Sequence, residues 1–538
     1  MQRFSLDESD STISTQAVSA TPTSPPHSDD WLKYRKHRGV NLGSWFTLER
    51  WITDTPFRQA AHPAASDLDV AKGTKAKEIL ERHWDTWITQ RDWDWMDSMG
   101  INSVRISIGY YHVCGADRRI LDDTDFYPFY RVYEGAWRRI TDAILTASRM
   151  NMTVLIDLHA APGKQNADPH SGTSLSANFF NDPHNLRRGL YAITSLARAL
   201  NHFCSSQLPP LVNVIGIELL NEPAPPNDDI LREWYLNAVA GVRREYPGIP
   251  IYLGEVWRLE SYAQWASKEQ GRLSCPGSTG LGGGKDAKGA LVVLDHHLYR
   301  CFTSEDNRTS VQDHTRALLD PNGSVQKSFS STSETLGRAG GGMIVGEWSC
   351  GLNPASLRGT HGERRAFVEA QLAVYEKYCG GWYWWTLKKE SEVYGKDVGW
   401  SLRDAVEADV FPNAVPGMKR KIKLNDSATE TERRAHARDV ARRNAYDTHV
   451  AYWRRVGGSY EHHRFFAGFT DGWDDAYSFF DSVAPDANIV SEIGFTSAWA
   501  KERARGSDHE TARGYWEYEH GIVQGISAAR ADFEKGFC

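Results

Sequence analysis

The chain has 538 residues, of which 41% are hydrophobic and 24% charged, and its formal net charge is −7. Basic and acidic residues are interspersed, so the basic surface of a nucleic-acid-binding protein is not indicated, and attraction to an anionic membrane is not favoured. The chain has no continuous run of 18 apolar residues. We therefore predict no partner nucleic acid and no membrane-spanning helix.

The amino-terminal segment and the cysteines both indicate the cellular compartment in which the protein is found. Residues 1–30 are rich in Ser, Thr, Pro and Asp and contain no apolar stretch typical of a secretory signal peptide, which predicts a disordered tail. The seven cysteines are an odd number and include no CxxC pair, as is typical of reduced thiols in a cytosolic protein. We therefore expect a cytoplasmic location.

From residue 38 onwards, short continuous apolar segments alternate with stretches of helical character. The eight apolar segments are 38–43, 101–108, 152–159, 212–220, 251–255, 291–297, 343–347 and 382–386. Continuous apolar segments are typical of strands buried on both faces, as in a parallel sheet. Eight strand–helix units predict an α/β fold, the (β/α)8 TIM barrel, over residues 31–412.

Three segments depart from this alternation. The glycine-rich segment 273–289 predicts a surface loop, and it lacks the spacing of a phosphate-binding loop. Residues 413–459 are strongly charged and predict a helical linker with a solvated face. Residues 460–538 contain two stretches, 468–480 and 520–533, in which small and apolar residues recur at helical spacing. We predict a helical extension here that packs on the barrel and carries no catalysis.

Polar residues stand at or just after the carboxyl ends of the predicted strands, where (β/α)8 enzymes build their active sites. Three of them are the glutamates Glu222, Glu255 and Glu347. Glu222 and Glu347 are separated by about three units of roughly 40 residues, which places them on strands four and seven, across the mouth of the barrel. The other polar residues at these positions are Asn41, Glu49, Arg105, Asp157, His159, Asn221, Asp295, His296, His297, Tyr299 and Lys388.

Two carboxyl groups that face each other across a sugar ring are what a retaining glycosidase requires. They lie about 5–5.5 Å apart, and one protonates the leaving oxygen while the other attacks the anomeric carbon. Their pKa values must differ, so that the nucleophile is ionised while the acid keeps its proton. Arg105 beside a carboxylate would favour its charged form, and Tyr299 is placed to donate a hydrogen bond to the same group. The 20 Trp, 22 Tyr and 20 Phe fit either a sugar-binding cleft or a large core.

Each of these residues also has a structural explanation. Glu222 stands where it would cap the helix after strand four, and Glu255 fits a structural or substrate-binding role better than a catalytic one. Asp295, His296 and His297 suggest a metal site. Successive side chains of a strand point to opposite faces, however, so the three do not converge, and we predict that no metal is bound.

Motifs in the predicted barrel support one family. They are RGVNLGSWFTLERWI (38–52), SVRISIGYYHV (103–113), DLHAAPGKQN (157–166), NEP (221–223), LDHHLYRCF (294–302), GEW (346–348), GWYWWTLKKE (381–390) and GWSLRDAVEADVFP (399–412). In sequence and in order they resemble glycoside hydrolase family 5, and within it the fungal exo-β-1,3-glucanases, over about residues 35–412. The extension at 460–538 and the lack of a leader resemble an intracellular fungal branch.

The resemblance implies a retaining mechanism without a metal or other cofactor, with Glu222 as acid/base and Glu347 as nucleophile. It implies that Glu49 holds hydroxyl groups of the substrate, that Trp385 is a stacking platform, and that Phe302 is an aromatic residue at the entrance. The residues that it places around the sugar in the −1 subsite are Arg105, His159, Asn221, His297 and Tyr299.

The chain departs from the secreted enzymes in the loop after the QN pair. Those enzymes have glycine, phenylalanine, aspartate and asparagine where this chain has Ala167, Asp168, Pro169 and His170. Asp168 replaces the phenylalanine that faces Phe302 across the entrance. The leaving-group side is therefore expected to be more polar.

Three functions remain open from the sequence, and the partner in each is a carbohydrate. The first is an exo-acting β-glucosidase that removes terminal glucose from β-1,3-glucan oligosaccharides. The second keeps this chemistry but has a glycolipid, sterol or flavonoid glucoside as substrate. The third is a non-catalytic carbohydrate-binding scaffold, against which the intact glutamate pair argues. The oligomeric state is unknown from the sequence.

Overall fold

The computed structural model describes residues 28–274, 290–360, 362–419, 428–483, 489–505, 507–509 and 513–537. Most of the predicted disordered tail, 1–30, and most of the predicted loop, 273–289, lie outside these residues. No described helix combines the length and the hydrophobicity of a transmembrane segment.

Within the described residues, eight parallel strands form a closed barrel, in which neighbours in the chain pair with each other and the last strand pairs with the first. The strands are β1 His37–Asn41, β2 Ser103–Gly109, β3 Thr153–Ala160, β4 Val214–Glu218, β5 Ile251–Gly254, β6 Val292–Leu298, β7 Gly342–Trp348 and β8 Gly381–Trp384. Each strand end lies within about two residues of its predicted position, inside the usual uncertainty of such boundaries. The predicted (β/α)8 TIM barrel is confirmed.

Helices connect the strands, surround the barrel and continue beyond it. Those of the first half are α1 Ser28–Tyr34, α2 Asp67–Ala71, α3 Ala76–Thr86, α4 Gln90–Ser98, α5 Tyr130–Tyr133, α6 Ala136–Arg149, α7 Pro183–Ser206, α8 Asp228–Glu245, α9 Leu259–Lys268 and α10 Gln270–Ser274. Those of the second half are α11 Val311–Leu319, α12 Ser324–Ala339, α13 Glu363–Tyr378, α14 Ser391–Tyr394, α15 Leu402–Glu407, α16 Ala428–Val456, α17 His463–Asp481, α18 Thr496–Ala504 and α19 Tyr515–Phe537.

The half of the barrel interior that lies away from the carboxyl ends of the strands is filled by large side chains, among them Tyr252 and Tyr383. Glycines on neighbouring strands leave the space that these rings occupy. A Cβ atom on Gly39 would lie 2.3 Å from the ring of Tyr383, and one on Gly216 would lie 2.2 Å from the ring of Tyr252. The glycines of RGVNLG and IGIELL are therefore packing positions, and the floor of the barrel is solid.

Helices α17 and α19 of the carboxyl-terminal region pack with their backbones in contact. A Cβ atom on Gly472 would lie 2.2 Å from the carbonyl oxygen of Ile522, and one on Gly521 would lie 2.2 Å from that of Phe465. Small residues spaced by four positions allow such close approach of two helices. These residues are Gly468, Gly472, Gly521 and Gly525. The recurrence of small residues in the two stretches of the extension is thus the signature of one helix–helix interface.

The carboxyl-terminal region covers the end of the barrel opposite the carboxyl ends of the strands. Phe495 fills the space beside Gly342, where a Cβ atom would lie 2.4 Å from its ring. Glu492 forms a buried ion pair of 2.6 Å with Arg38 of β1. The backbone of Ile493 forms an isolated bridge with Arg35. A helical carboxyl-terminal region joined to the barrel is therefore part of the fold.

The predicted charged linker, 413–459, contains the long helix α16, and this helix does more than connect. It contacts α17 and α19, and Ala441 and Tyr446 pack against the core of the carboxyl-terminal region. Arg433 forms an ion pair of 3.0 Å with Asp532 of α19. The described part of this segment is therefore an integral helix of the carboxyl-terminal region.

Candidate active site

A cavity of about 730 Å³ opens at the carboxyl ends of the strands. Most of the residues predicted for the site line it, and Arg105 and Asn221 lie buried beneath it. The lining residues are Glu49, Trp51, His159, Asp168, His170, Glu222, Trp257, His297, Leu298, Tyr299, Phe302, Thr303, Asp306, Glu347, Trp385 and Trp400.

The two predicted catalytic glutamates meet in this cavity. A carboxyl oxygen of Glu222 and one of Glu347 lie within 4.8 Å of each other, with His297 between them. His297 Nδ1 lies 2.9 Å from Glu222 Oε1 and 3.5 Å from Glu347 Oε2. Glu222 has a φ of +41°, a strained conformation for a residue other than glycine and one that clusters at functional sites. The backbone after β4 is therefore bent so that this side chain faces the cavity.

Glu347 receives hydrogen bonds on both carboxyl oxygens. Arg105 Nη1 donates to Oε1 over 2.8 Å, and the Tyr299 hydroxyl donates to Oε2 over 2.9 Å. Burial raises the pKa of Glu347, and the charges of His297 and Arg105 and the hydrogen bond from Tyr299 lower it. The resulting pKa is about 7. The donors stabilise an ionised carboxylate in a place where burial alone would keep it protonated.

Arg105 is the centre of a buried charge cluster that forms the floor of the cavity. Its guanidinium lies 2.7 Å from Glu218, 3.2 Å from Asp157 and 3.8 Å from Asp295, and every member of the cluster is fully buried. Burial raises the pKa of Glu218 well above its usual range, against the charge of Arg105, which lowers it. Glu218 was not predicted as a site residue. It is the one charged residue in the apolar segment 212–220, and because a buried charge needs a partner, this could have indicated its place in the cluster.

The position of the proton between Glu222 and His297 follows from their contact. Burial raises the pKa of Glu222, but the hydrogen bond and charge of His297 reduce it to about 2. Burial lowers the pKa of His297, and the carboxylates of Glu347, Asp295 and Glu222 raise it well above its usual value. Across this 2.9 Å contact both shifts favour the proton on His297 over Glu222. A pKa of about 2 for Glu222 and of about 7 for Glu347 is the reverse of the order expected from the sequence for the acid and the nucleophile. Catalysis by an acid at Glu222 therefore needs the proton to move from His297 to its carboxylate.

Comparison with known protein families places this site in context. Residues 71–391, more than half of the chain, match the family model described as Cellulase (glycosyl hydrolase family 5). The chain belongs to glycoside hydrolase family 5. The resemblance predicted from its motifs is thereby confirmed, and the protein is a glycoside hydrolase and not a non-catalytic scaffold. Residues 434–533 of this family 5 hydrolase match the model of a glucan 1,3-beta-glucosidase 3 C-terminal domain.

Two yeast proteins are similar to this hydrolase over nearly their whole length. Glucan 1,3-beta-glucosidase 3 of Schizosaccharomyces pombe is 30% identical, and the match covers 92% of this chain and 95% of that one. An uncharacterized glycosyl hydrolase of Saccharomyces cerevisiae is 28% identical, with 95% of each chain covered. The crystal structure of a rutinosidase from Aspergillus niger has a TM-score of 0.51 at 20% identity, over 69% of this chain and 94% of that one, and shows the shared fold.

Two adjacent tryptophans of the hydrolase face opposite sides of β8, as the alternation of strand side chains predicts. Trp385 lines the cavity and lies parallel to the His159 ring at 5.7 Å. Trp384 packs outward against Trp348 at 4.8 Å and Phe411 at 5.5 Å. Trp385 is therefore the flat apolar wall against which a sugar ring can stack.

His159 is held as a neutral ring on the same side of the cavity. Its Nδ1 donates to Asp157 over 2.6 Å, and Asn221 Nδ2 lies 3.5 Å from its Nε2. Burial lowers the pKa of His159 to about 4, against Asp157, which raises it. The ring therefore contributes hydrogen bonding and no charge at neutral pH.

The entrance of the hydrolase is both aromatic and acidic. Phe302 is 71% exposed and packs edge-on against Tyr299. Glu49 Oε2 accepts a hydrogen bond of 2.7 Å from Trp51 Nε1, and burial raises the pKa of Glu49. Asp168 stands exposed in the loop after β3 and lines the same cavity, where it adds a carboxylate.

The three residues that suggested a metal site do not converge. His296 points away from the cavity and contacts Glu255 over 2.6 Å, while Asp295 and His297 face inward. Glu255 is thus part of a buried pair with His296. Donor atoms of Glu218, Asp295 and His297 do lie within 4.8 Å of one another. The Arg105 guanidinium already supplies the positive charge of this cluster.

Several lining residues were not predicted for the site. They are Trp51, His170, Trp257, Leu298, Thr303, Asp306 and Trp400. Trp51 and Trp400 belong to family motifs, at 38–52 and 399–412, and their place in these motifs could have indicated that they line the site. His170 lies in the loop where the chain departs from the secreted enzymes. Trp257 follows β5 in a left-handed conformation that no periodic pattern predicts.

Proposed function

We propose that the protein is a retaining, exo-acting β-glucosidase that removes terminal glucose from β-1,3-glucan oligosaccharides, with Glu222 as acid/base and Glu347 as nucleophile. One observation carries the proposal: the two carboxyl groups have oxygens within 4.8 Å of each other in one cavity. Retaining enzymes hold their carboxyls about 5–5.5 Å apart, whereas inverting enzymes need about 6.5–9.5 Å to admit a water molecule.

The first step forms a glycosyl-enzyme. Glu347 attacks the anomeric carbon, and Glu222 gives its proton to the leaving oxygen. Arg105 and Tyr299 favour the ionised form of Glu347 through hydrogen bonds of 2.8 and 2.9 Å. His297 supplies the proton that Glu222 needs, because its Nδ1 lies 2.9 Å from Oε1. In the second step Glu222 takes a proton from water, which attacks the same carbon and releases glucose.

The proposal of exo action and β-1,3 specificity rests on the named relatives. The buried Arg105 cluster forms the floor of the cavity beneath the glutamate pair. Relatives in Schizosaccharomyces pombe and Aspergillus fumigatus are named glucan 1,3-beta-glucosidases, the second of them as probable, at 30% and 28% identity. Trp385, His159 and Glu49 line the part of the cavity next to the glutamate pair, where a glucose ring would be held.

The experiment is a substrate panel with a stereochemical readout. The full chain and its Glu347→Gln variant are incubated with laminaribiose, laminaritriose, cellobiose and an aryl β-glucoside. We expect glucose from the laminari-oligosaccharides, the β-anomer as first product by NMR, and loss of activity on every substrate in Glu347→Gln. The α-anomer as first product, or full activity in the variant, would reject the assignment.

A second candidate substrate is a β-glucoside with an apolar aglycone such as a lipid, sterol or flavonoid. The observation that favours it is the exposed aromatic surface at the entrance, where Phe302 is 71% exposed and Trp257 is 56% exposed. The same panel, extended with a flavonoid glucoside and a glucosyl lipid, compares kcat/KM between the classes. Much faster hydrolysis of laminaribiose would reject this candidate.

We also propose that the enzyme works in the cytoplasm. The described cysteines, Cys114, Cys204, Cys301, Cys350 and Cys379, are free thiols, and burial raises the thiol pKa of each, which keeps it unreactive. This supports a reducing compartment. Fractionation of cells that express the full chain with a carboxyl-terminal tag tests it, and recovery in the secreted fraction would contradict it.

A further inference from the structure

Three polar atoms on the leaving-group side of the cavity surround a small space. His170 Nε2 lies 3.7 Å from Asp168 Oδ2 and 3.8 Å from Glu222 Oε2, and the three atoms lie within 4.8 Å of one another. Both distances exceed those of a hydrogen bond, which are about 2.7–3.2 Å. One oxygen atom placed above this triangle reaches all three atoms at hydrogen-bonding distance, and the three side chains line the same cavity.

The loop that carries Asp168 and His170 is tied to the loop that carries Glu222. Asn166 Nδ2 donates to the backbone carbonyl of Glu222 over 3.0 Å, and the Gln165 side chain donates to the carbonyl of Asn221 over 3.1 Å. Asn166 Oδ1 accepts from the backbone N–H of Asp168 over 2.9 Å. The triangle is therefore preorganised by contacts between the two loops.

The charges around His170 fix its hydrogen-bonding role. Burial lowers its pKa, but the carboxylates of Asp168, Glu49 and Glu222 raise it to about 9, so the ring is cationic at neutral pH. The nearest ring is that of His159, at 4.9 Å between centroids. His170 thus presents an N–H donor, while Asp168 and an ionised Glu222 present acceptors. One donor and two acceptors are the complement of a water molecule, which accepts one hydrogen bond and donates two.

We infer that Asp168, His170 and Glu222 form a subsite for one hydroxyl oxygen, and that this subsite holds the water that attacks the glycosyl-enzyme. His170 is then a positioning residue that acts in the second step of the reaction, with Asp168 as its partner. The hydroxyl group of an acceptor sugar binds in the same place when transfer competes with hydrolysis. The inference rests on the proposed role of Glu222 as acid/base.

The step balances within the site. The O–H bond of the water breaks and its proton goes to Glu222 Oε2. The electron pair of the oxygen forms the new bond to the anomeric carbon. The bond between that carbon and Glu347 breaks, and its electron pair returns to the carboxylate. His170 keeps its proton throughout, and its N–H holds the oxygen in the line of attack.

The experiment separates the two steps of the reaction. With 2,4-dinitrophenyl β-glucoside the leaving group departs easily, so kcat reports hydrolysis of the glycosyl-enzyme while kcat/KM reports its formation. We expect His170→Asn to lower kcat about tenfold or more, because a misplaced nucleophile costs that much, and to leave kcat/KM nearly unchanged. His170→Gln places an amide N–H near the position of Nε2 and is expected to retain most of kcat.

Controls keep this result separate from folding and from the proposed function. His202→Asn changes an exposed histidine on α7 and is expected to match the wild type, and melting temperatures report the folding of each variant. Equal losses of kcat and kcat/KM in His170→Asn, or no loss in either, would overturn the inference while wild-type turnover still supports the proposed function. A wild type that hydrolyses no β-glucoside would overturn both.

Discussion

Replacing Tyr299 by phenylalanine removes one donor from Glu347 and keeps the aromatic ring that lines the cavity. The Tyr299 hydroxyl donates to Oε2 over 2.9 Å, while Arg105 holds the other oxygen over 2.8 Å. A hydrogen bond to a charged group contributes about 1.5–3 kcal/mol. Because one pH unit corresponds to about 1.36 kcal/mol, we expect the pKa of Glu347 to rise by about one to two pH units.

The sign of the pH effect follows from the need for an ionised nucleophile. On the acidic side, kcat/KM falls as Glu347 gains a proton, so a higher pKa moves this limb of the profile to higher pH. The assay measures kcat/KM for an aryl β-glucoside from about pH 4 to about pH 9. The control is Tyr127→Phe, a substitution of a ring that is 56% exposed. An acidic limb that stays at the wild-type pH in Tyr299→Phe would refute the reasoning, even if kcat/KM is lower.

Three further predictions concern stability and the floor of the site. Burial raises the pKa of Glu376, but the charges of Arg38 and Lys36 lower it to about 2. The ionised carboxylate therefore stabilises the fold fully above the unfolded pKa of about 4.3, and this stabilisation is lost as the pH falls towards 2. The melting temperature of the wild type should therefore drop as the pH falls through this range, and that of Glu376→Gln should drop less, because the ionised carboxylate contributes about 3 kcal/mol to the free energy of unfolding. An equal dependence of the two melting temperatures on pH would contradict this. Gly472→Val introduces side-chain atoms where a Cβ would already lie 2.2 Å from a carbonyl oxygen of α19, so we expect a loss of about 1–3 kcal/mol or more in denaturant unfolding with KM unchanged. Gly536→Val, which has open space, is the control, and an equal loss in both would count against the tight interface. Glu218→Gln should keep kcat/KM within about threefold, because the amide oxygen still accepts a hydrogen bond from Arg105 and burial already disfavours the charged form of the carboxyl. A loss as large as that of Glu218→Ala would show that the charge is needed.

The barrel was predictable because its strands are buried on both faces. The run VLI at 154–156 is continuous and apolar, as is typical of a strand buried on both faces, and it lies in the observed strand Thr153–Ala160. The glutamate pair was predictable for a related reason. Residues that directly follow parallel strands all reach the same end of the barrel, so Glu222 and Glu347 meet although they are far apart in the chain.

The residues that were missed owe their places to loops and to the barrel interior. His170 reaches Glu222 through a loop whose course depends on Asn166 and Gln165, and no periodic pattern encodes such side-chain to backbone contacts. Glu218 is the last residue of β4, whereas the predicted apolar segment continued to residue 220, so sequence reasoning looked for site residues only after that segment. The partners of α16 likewise follow from tertiary packing, because a helix with many charges shows no apolar stripe that predicts what it packs against.

The carboxyl-terminal region, which covers the amino end of the barrel, is synthesised last, and this affects how the protein folds during translation. Arg38 belongs to the first strand that leaves the ribosome, whereas its buried partner Glu492 follows 454 residues later. At roughly 5–20 residues per second, translation alone separates the two by about 20–90 s. Through that interval the nascent barrel carries a buried guanidinium without one of its carboxylates and a row of uncapped strand ends. The barrel is therefore fully covered only when the last helices have been made. We expect chains that end before these helices to be retained by chaperones and degraded.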